Sequence, residues 1–308
     1  MSDTAIQPHP LPTARPQMPA PVTGAAPPSA AVPVAARPSR RRRLRLIPRR
    51  MGGGLLVQTW RSVSALMLRE ISTTYGNSAG GYLWALLDPI LGIGLLTLVF
   101  SQFFAVPALG TNFPLFYATG YLPFMMFNDV ANKMAISLRY SGPFLSYPAV
   151  TFFDVLFARL LLNAGVHLVV FAIVLMSIVL IYDMPLVLDV ARLAEGLALT
   201  VLLAAGIGVM NCFLMTRFPL WERTWQIITR PLFMISGIFF LWETMPAGSR
   251  DVLWYNPIVH VIAMVRQGVY LTYNATFVDP LFVTALSLLL LVSGLALLMR
   301  HYRDLMER

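Results

Sequence analysis

The sequence predicts an all-α integral membrane protein. Six transmembrane helices follow an N-terminal amphipathic interface helix, and a re-entrant helix pair separates the fifth span from the sixth. Three observations predict this class. Apolar residues make up 57% of the chain and charged residues only 12%, about half the charged share of a soluble domain. The apolar residues gather into runs close to the ~20 residues that cross ~30 Å of hydrocarbon. The basic residues collect on one side of those runs, as positive-inside topology requires.

The chain opens on a tail. Residues 1–38 contain ten Pro among many Ala, Ser and Thr, a composition that buries too little apolar surface to order itself. It lacks the apolar stretch of a secretory signal. Arg40–Arg43, Arg45, Arg49 and Arg50 follow. Residues 1–50 hold nine Arg and one Asp, whereas 51–308 hold fourteen basic and thirteen acidic groups. Of the net charge of +9, +8 therefore belongs to a disordered Pro/Arg-rich cytosolic tail (1–50), and the membrane domain (51–308) is near neutral at +1. Such a tail suits anionic lipids, at about 1 kcal/mol per Arg, or acts only as a topology determinant. Nucleic acid is not an expected partner.

Residues 55–75 read as the interface helix, with Leu56, Trp60, Val63, Met67 and Ile71 on one face and too many polar interruptions to span. Gly76–Gly81 breaks it. Tyr82–Leu87 then precedes Asp88-Pro89, an N-cap and first-helical-residue pair. The favoured expectation is a short separate helix with the first span starting at Pro89; the alternative is one helix from Tyr82, kinked at Pro89.

The spans are expected at about 83–105, 113–138, 157–181, 193–216, 225–243 and 278–299. Three basic residues, Arg192, Arg250 and Arg266, fall in loops on one side, and the other twenty fall on the opposite side. Both termini are therefore expected in the cytosol. The segment 140–156 is then the sizeable cytosolic loop between spans. In 246–274 an apolar stretch is cut by Asn256-Pro257 and carries His260 and Arg266. A seventh span there would move the C-terminal Arg cluster outside, so two short re-entrant or interfacial helices are expected, with their irregular backbone buried in protein or lining a wet cavity.

No catalytic, cofactor-binding or metal site is expected. The single Cys (Cys212) excludes an internal disulfide framework, and the four His are scattered. The only Lys, Lys133, stands between Asn132 and Met134, so the Gly-Lys-Ser/Thr of a phosphate-binding loop is absent. Any ATP dependence must come from another chain. Asp129 and Lys133 are four residues apart and read as a self-neutralising pair or, less simply, a proton relay. Asn163 and His167 suit an interhelical hydrogen bond. Glu195 is expected to snorkel or pair with Arg192. Ala204, Gly208 and Cys212 form a small-residue stripe for close packing. Trp221, Glu222, Arg223, Trp225 and Arg230 mark the mouth of the fifth span. They form either an interface belt or an entry for an anionic sugar chain, with Trp225 and Arg230 as polymer-path candidates.

Three stretches, LMLREISTTYGNSAGGYLWALLDP (66–89), SYPAVTFFDVLFARLLLN (146–163) and TMPAGSRDVLWYNPIVHVIAMVRQGV (244–269), and the order of spans between them, resemble the membrane (permease) subunit of bacterial capsular polysaccharide ABC exporters, type-2 ABC permeases. The resemblance covers about 55–303 and leaves out the tail. It implies a homodimer with two ATPase subunits beneath, which bind ATP and Mg in place of any cofactor in this chain. The implied cargo is a lipid-linked acidic polysaccharide, passed to periplasmic and outer-membrane export proteins from the bacterial inner membrane. It also implies a coupling helix at about Gly142–Asp154, with Pro143, Phe144, Leu145, Tyr147, Pro148 and Asp154 as ATPase-docking positions. Tyr82 and Trp84 become a cytosolic gate, and Asn256, Pro257, His260 and Arg266 belong to a periplasmic re-entrant lid. O-antigen or teichoic-acid polymers are the nearest alternative cargo. A proton-driven transporter would need inverted repeats and mid-membrane carboxylate pairs, and a membrane glycosyltransferase an acidic nucleotide-sugar site; neither pattern is visible.

Overall fold

The computed structural model describes residues 55–75, 81–140, 151–185 and 187–306. The Pro/Arg-rich tail, most of the Gly-rich break and the docking positions Pro143, Phe144, Leu145, Tyr147 and Pro148 lie outside the described residues. Every regular element among those described is helical. In chain order they are α1 (Leu55–Tyr75), α2 (Gly81–Phe100), α3 (Phe113–Ala135), α4 (Phe152–Ile181), α5 (Val190–Arg217) and α6 (Leu220–Ile235). A 3-10 turn at Trp242–Thr244 precedes α7 (Ala247–Trp254), α8 (Pro257–Val269) and α9 (Pro280–Met306).

Side-chain caps fix several starts. Asn112 accepts from the Leu115 N–H and starts α3, with Pro in the first turn. Thr151 and Asp154 exchange bonds as a capping box at α4. Asp189 caps α5. Asn256 caps α8 with Pro257 as its first residue, so the expected hinge does divide 246–274 into two short helices.

Helix α5 is the centre of the bundle and packs against α3, α8 and α9. Small residues permit this. A Cβ on Gly206 would fall 2.5 Å from the Ser287 carbonyl oxygen of α9, and one on Gly208 3.0 Å from the Ala131 carbonyl oxygen of α3. Ala204 and Cys212 of the same stripe are fully buried. Helix α1 lies along α4. Among its described side chains Val63 is buried, whereas Trp60, expected on the same face, is exposed.

Four described helices are long and apolar enough to cross a bilayer: α2 over 83–100, α4, α5 and α9 over 280–301. Helix α3 has the length, 23 residues, but carries Asn128, Asp129, Asn132 and Lys133 in its second half. Two expectations are corrected. The favoured break before Pro89 is absent: α2 is one helix with Pro89 inside it. A proline loses its own N–H bond to the preceding turn and crowds the carbonyl four residues back, yet this helix continues on both sides of it. The fifth span is not a helix over 225–243. Helix α6 covers 16 residues, or about 24 Å, and ends at Ser236-Gly237, where Gly237 takes φ +81°, a left-handed stop that glycine adopts without strain.

Candidate functional site

The irregular strip 236–241 after α6 exposes backbone groups that no helix satisfies, and Arg266 of α8 satisfies several of them. Its Nη1 donates to the carbonyls of Gly237 at 2.8 Å and Phe240 at 3.2 Å, and Nη2 to Ile238 at 3.1 Å. The guanidinium carbon also stands 4.3 Å from the centroid of the Phe116 ring, a cation–π contact. Gly120 of α3 makes the room, since a Cβ there would meet Nη2 at 2.9 Å. Asn256 adds bonds from Nδ2 to the Ile235 carbonyl and Ser236 Oγ, each 3.4 Å.

His260, also on α8, is fully buried. Its Nε2 lies 2.7 Å from the Trp254 carbonyl, and Nδ1 accepts from the Asp279 N–H at 3.1 Å. These partners select the neutral tautomer with the proton on Nε2, and burial lowers the pKa. The imidazole thereby ties the end of α7 to the start of α9. The four expected lid residues thus form one unit: Asn256 and Pro257 start α8, His260 fastens its flanks and Arg266 fastens the strip.

The other group lies where α3 ends and α4 begins. Asp154 faces inward as the capping carboxylate of α4, accepting from the Thr151 N–H at 2.9 Å. Arg159, about one and a half turns further along, donates from Nε to Glu70 of α1 at 2.9 Å and from Nη1 to the Lys133 carbonyl of α3 at 2.8 Å. Arg139 pairs with Glu222 of α6 at 2.8 Å, and this pair is exposed. Sequence reasoning missed both ion pairs. The signal for one was there: an Arg and a Glu each set within a mainly apolar helical stretch need partners.

At the expected mouth, Trp225 is half-buried and donates from Nε1 to Asn132 Oδ1 at 2.9 Å. Trp221 donates to Asn211 Oδ1, also at 2.9 Å. The two indoles anchor α6 to α3 and α5, while Arg223 and Arg230 remain exposed. Trp84 is exposed on α2, and Tyr82 falls in that helix's first turn. Asp129 pairs with His167 of α4 at 3.3 Å rather than with Lys133. Asn163 donates to the Arg159 carbonyl at 2.8 Å. Arg192 pairs with Asp189 at 3.3 Å, not with Glu195.

The family model for ABC-2 type transporters matches residues 61–270. The chain belongs to this family. The match takes in both residue groups and ends one residue past α8. The ABC-2 chain is also similar to curated transport proteins. It is 28% identical over 236 residues to the polysialic acid transport protein KpsM of Escherichia coli, covering 77% of this chain and 92% of that protein. It is 27% identical over 246 residues to the capsule polysaccharide export inner-membrane protein CtrC of Neisseria meningitidis serogroup A, covering 80% and 92%. It is 28% identical over 240 residues to the capsule polysaccharide export inner-membrane protein BexB of Haemophilus influenzae, covering 77% and 89%. An inner-membrane, multi-pass ABC-2 permease is thus what fold and family together support, and the resemblance drawn from the three sequence stretches holds.

Proposed function

We propose that this ABC-2 permease is the membrane-spanning half of an ATP-driven exporter that moves a lipid-linked acidic capsular polysaccharide out of the cytosol. Two copies form the passage, each with six spans and both termini in the cytosol. Two ATPase subunits, holding ATP and Mg, dock on segment 140–156. Periplasmic and outer-membrane proteins take the polymer onward.

The observation that carries this reading is the likeness to capsule and polysialic acid transport proteins, which spans more than three quarters of this chain and about nine tenths of each relative. The geometry supports it in two ways. Leu91, Leu95 and Leu98 of α2 and Ile227 and Met234 of α6 are exposed, an apolar surface of the kind a second copy covers. Arg223 and Arg230 project beside the anchored Trp225, a combination suited to acidic sugars. Helix α6 and strip 236–241 would together make the fifth span, with the strip's polar groups satisfied by Arg266 as membrane depth demands.

The test is reconstitution of the chain with its ATPase in lipid vesicles. ATP-dependent uptake of an acidic glycolipid polymer is expected, with little uptake of a neutral one. Deleting Tyr147-Pro148 is expected to abolish transport while leaving membrane insertion intact. Normal capsule from cells carrying that deletion would remove the docking role.

A further inference from the structure

Arg159 touches three helices. It belongs to α4, its Nε holds Glu70 of α1, and its Nη1 holds the Lys133 carbonyl in the last turn of α3. The Tyr140 ring lies 5.3 Å from the guanidinium carbon. The Arg159 and Glu70 side chains are only 9% and 17% exposed, so water screens the pair weakly and its strength depends steeply on distance. The start of α4 is locked to the preceding chain by the Thr151–Asp154 capping box. Arg159 lies five residues beyond Asp154 in the same unbroken helix, so it moves with the start of α4.

We propose that Arg159 is a positioning residue that hands displacement of the start of α4 on to α1 and α3 together, through its two bonds. The inference rests on the reading that an ATPase docks on the loop that leads into α4. With the two bonds in place, α1 and the end of α3 follow the start of α4. Without them, the start of α4 yields locally and the stroke is lost before it reaches the passage. A guanidinium is required because its planar fork serves a carboxylate and a carbonyl at once. A lysine ammonium keeps the charge but not that geometry.

The test uses the whole complex, this chain with its ATPase, in lipid vesicles. Arg159→Lys and Glu70→Gln are made singly and together, and ATP hydrolysis and polymer transport are measured on equal amounts of assembled complex. Hydrolysis is expected to stay within about twofold of wild type while polymer moved per ATP falls about tenfold or more, the size expected for a broken buried charge contact. The double variant is expected to be no worse than the worse single one, because both changes cut the same link. Arg159→Lys is expected to melt close to wild type. An unchanged ratio of transport to hydrolysis in the single variants, including one in which both rates fall together, overturns the proposal. Wild-type chain that moves polymer with no ATPase bound overturns the docking reading and this proposal with it. The wild-type control separates the two failures.

Discussion

Two arginines among the described residues are taken out of water, and they are held in opposite ways. Arg266 is 2% exposed and Arg159 8%. Arg266 rests chiefly on dipoles: three carbonyls from one short strip, Gly237, Ile238 and Phe240, and the face of Phe116, with the Glu243 carboxylate a more distant attraction. Arg159 rests on one carboxylate and one carbonyl that belong to two different helices. The first arrangement completes a backbone that cannot complete itself. The second relates bodies that are each already folded. A cation among carbonyls from one strip has one geometry, whereas a cation between helices yields when the helices move. The α8 region is therefore built to stay, and the α3–α4 junction to transmit.

The largest effect should come from removing the dipole-held cation. Arg266→Met keeps much of the volume but strands buried carbonyls at Gly237, Ile238 and Phe240. The expected loss is about 3–5 kcal/mol, because each buried carbonyl left without a donor costs about 1–3 kcal/mol. Denaturant unfolding of the detergent-solubilised protein measures it. Arg266→Lys should fall between, because one ammonium retains the charge without the fork. A loss below about 1 kcal/mol would show that the strip does not depend on Arg266, and the contrast with Arg159 would fail.

Much of this contrast was hidden in the sequence, for a physical reason. The long apolar runs gave α2, α4, α5 and α9, and Asn256-Pro257 gave the α7–α8 hinge, because periodicity and capping are local. The partners of Arg266 lie 26 to 29 residues away, and they are main-chain oxygens that no side-chain pattern announces. Residues 236–241 are apolar enough to pass for helix, and only the backbone at Gly237 reveals the stop. Local proximity also misled. Asp129 and Lys133 sit one turn apart, yet the carboxylate turns to His167 on α4. Asp154, a docking position by resemblance, has its carboxylate engaged at the start of its own helix. What the sequence did carry about the site was the position of α8 and the polar residues on it.

A smaller effect should appear at His260, the other fixed group of the α8 region. Burial lowers its pKa, so between its unfolded and folded values the unfolded chain binds the proton and the folded chain does not. Its contribution to stability is therefore present above the unfolded value of about 6.5 and is lost as pH falls through the folded value. Protonation would also set an Nδ1 proton against the Asp279 N–H it now accepts from. His260→Asn removes the titration. Melting temperature followed from pH 7.5 downward should fall more steeply in wild type than in the variant, at about pH 6.5 and below. Parallel curves would mean that the imidazole is not held neutral.

The smallest effect isolates burial from geometry at the junction itself. Arg139–Glu222 and Arg159–Glu70 have nearly equal lengths, 2.8 and 2.9 Å, and each joins two parts of the chain far apart in sequence. They differ in exposure: 50% and 36% for the first pair, 9% and 17% for the second. Exposed pairs gain little because water already solvates both charges, and two long side chains lose freedom in meeting. Arg139→Ala should therefore shift stability by about 0–1 kcal/mol, and most of any shift should vanish in about 1 M salt, where screening acts within ~3 Å. Unfolding measured at low and high salt separates the outcomes. If Arg139→Ala costs several kcal/mol at both salt concentrations, exposure is not what divides the two pairs, and Arg139 joins Arg159 among the contacts that tie helices together at this end of the bundle.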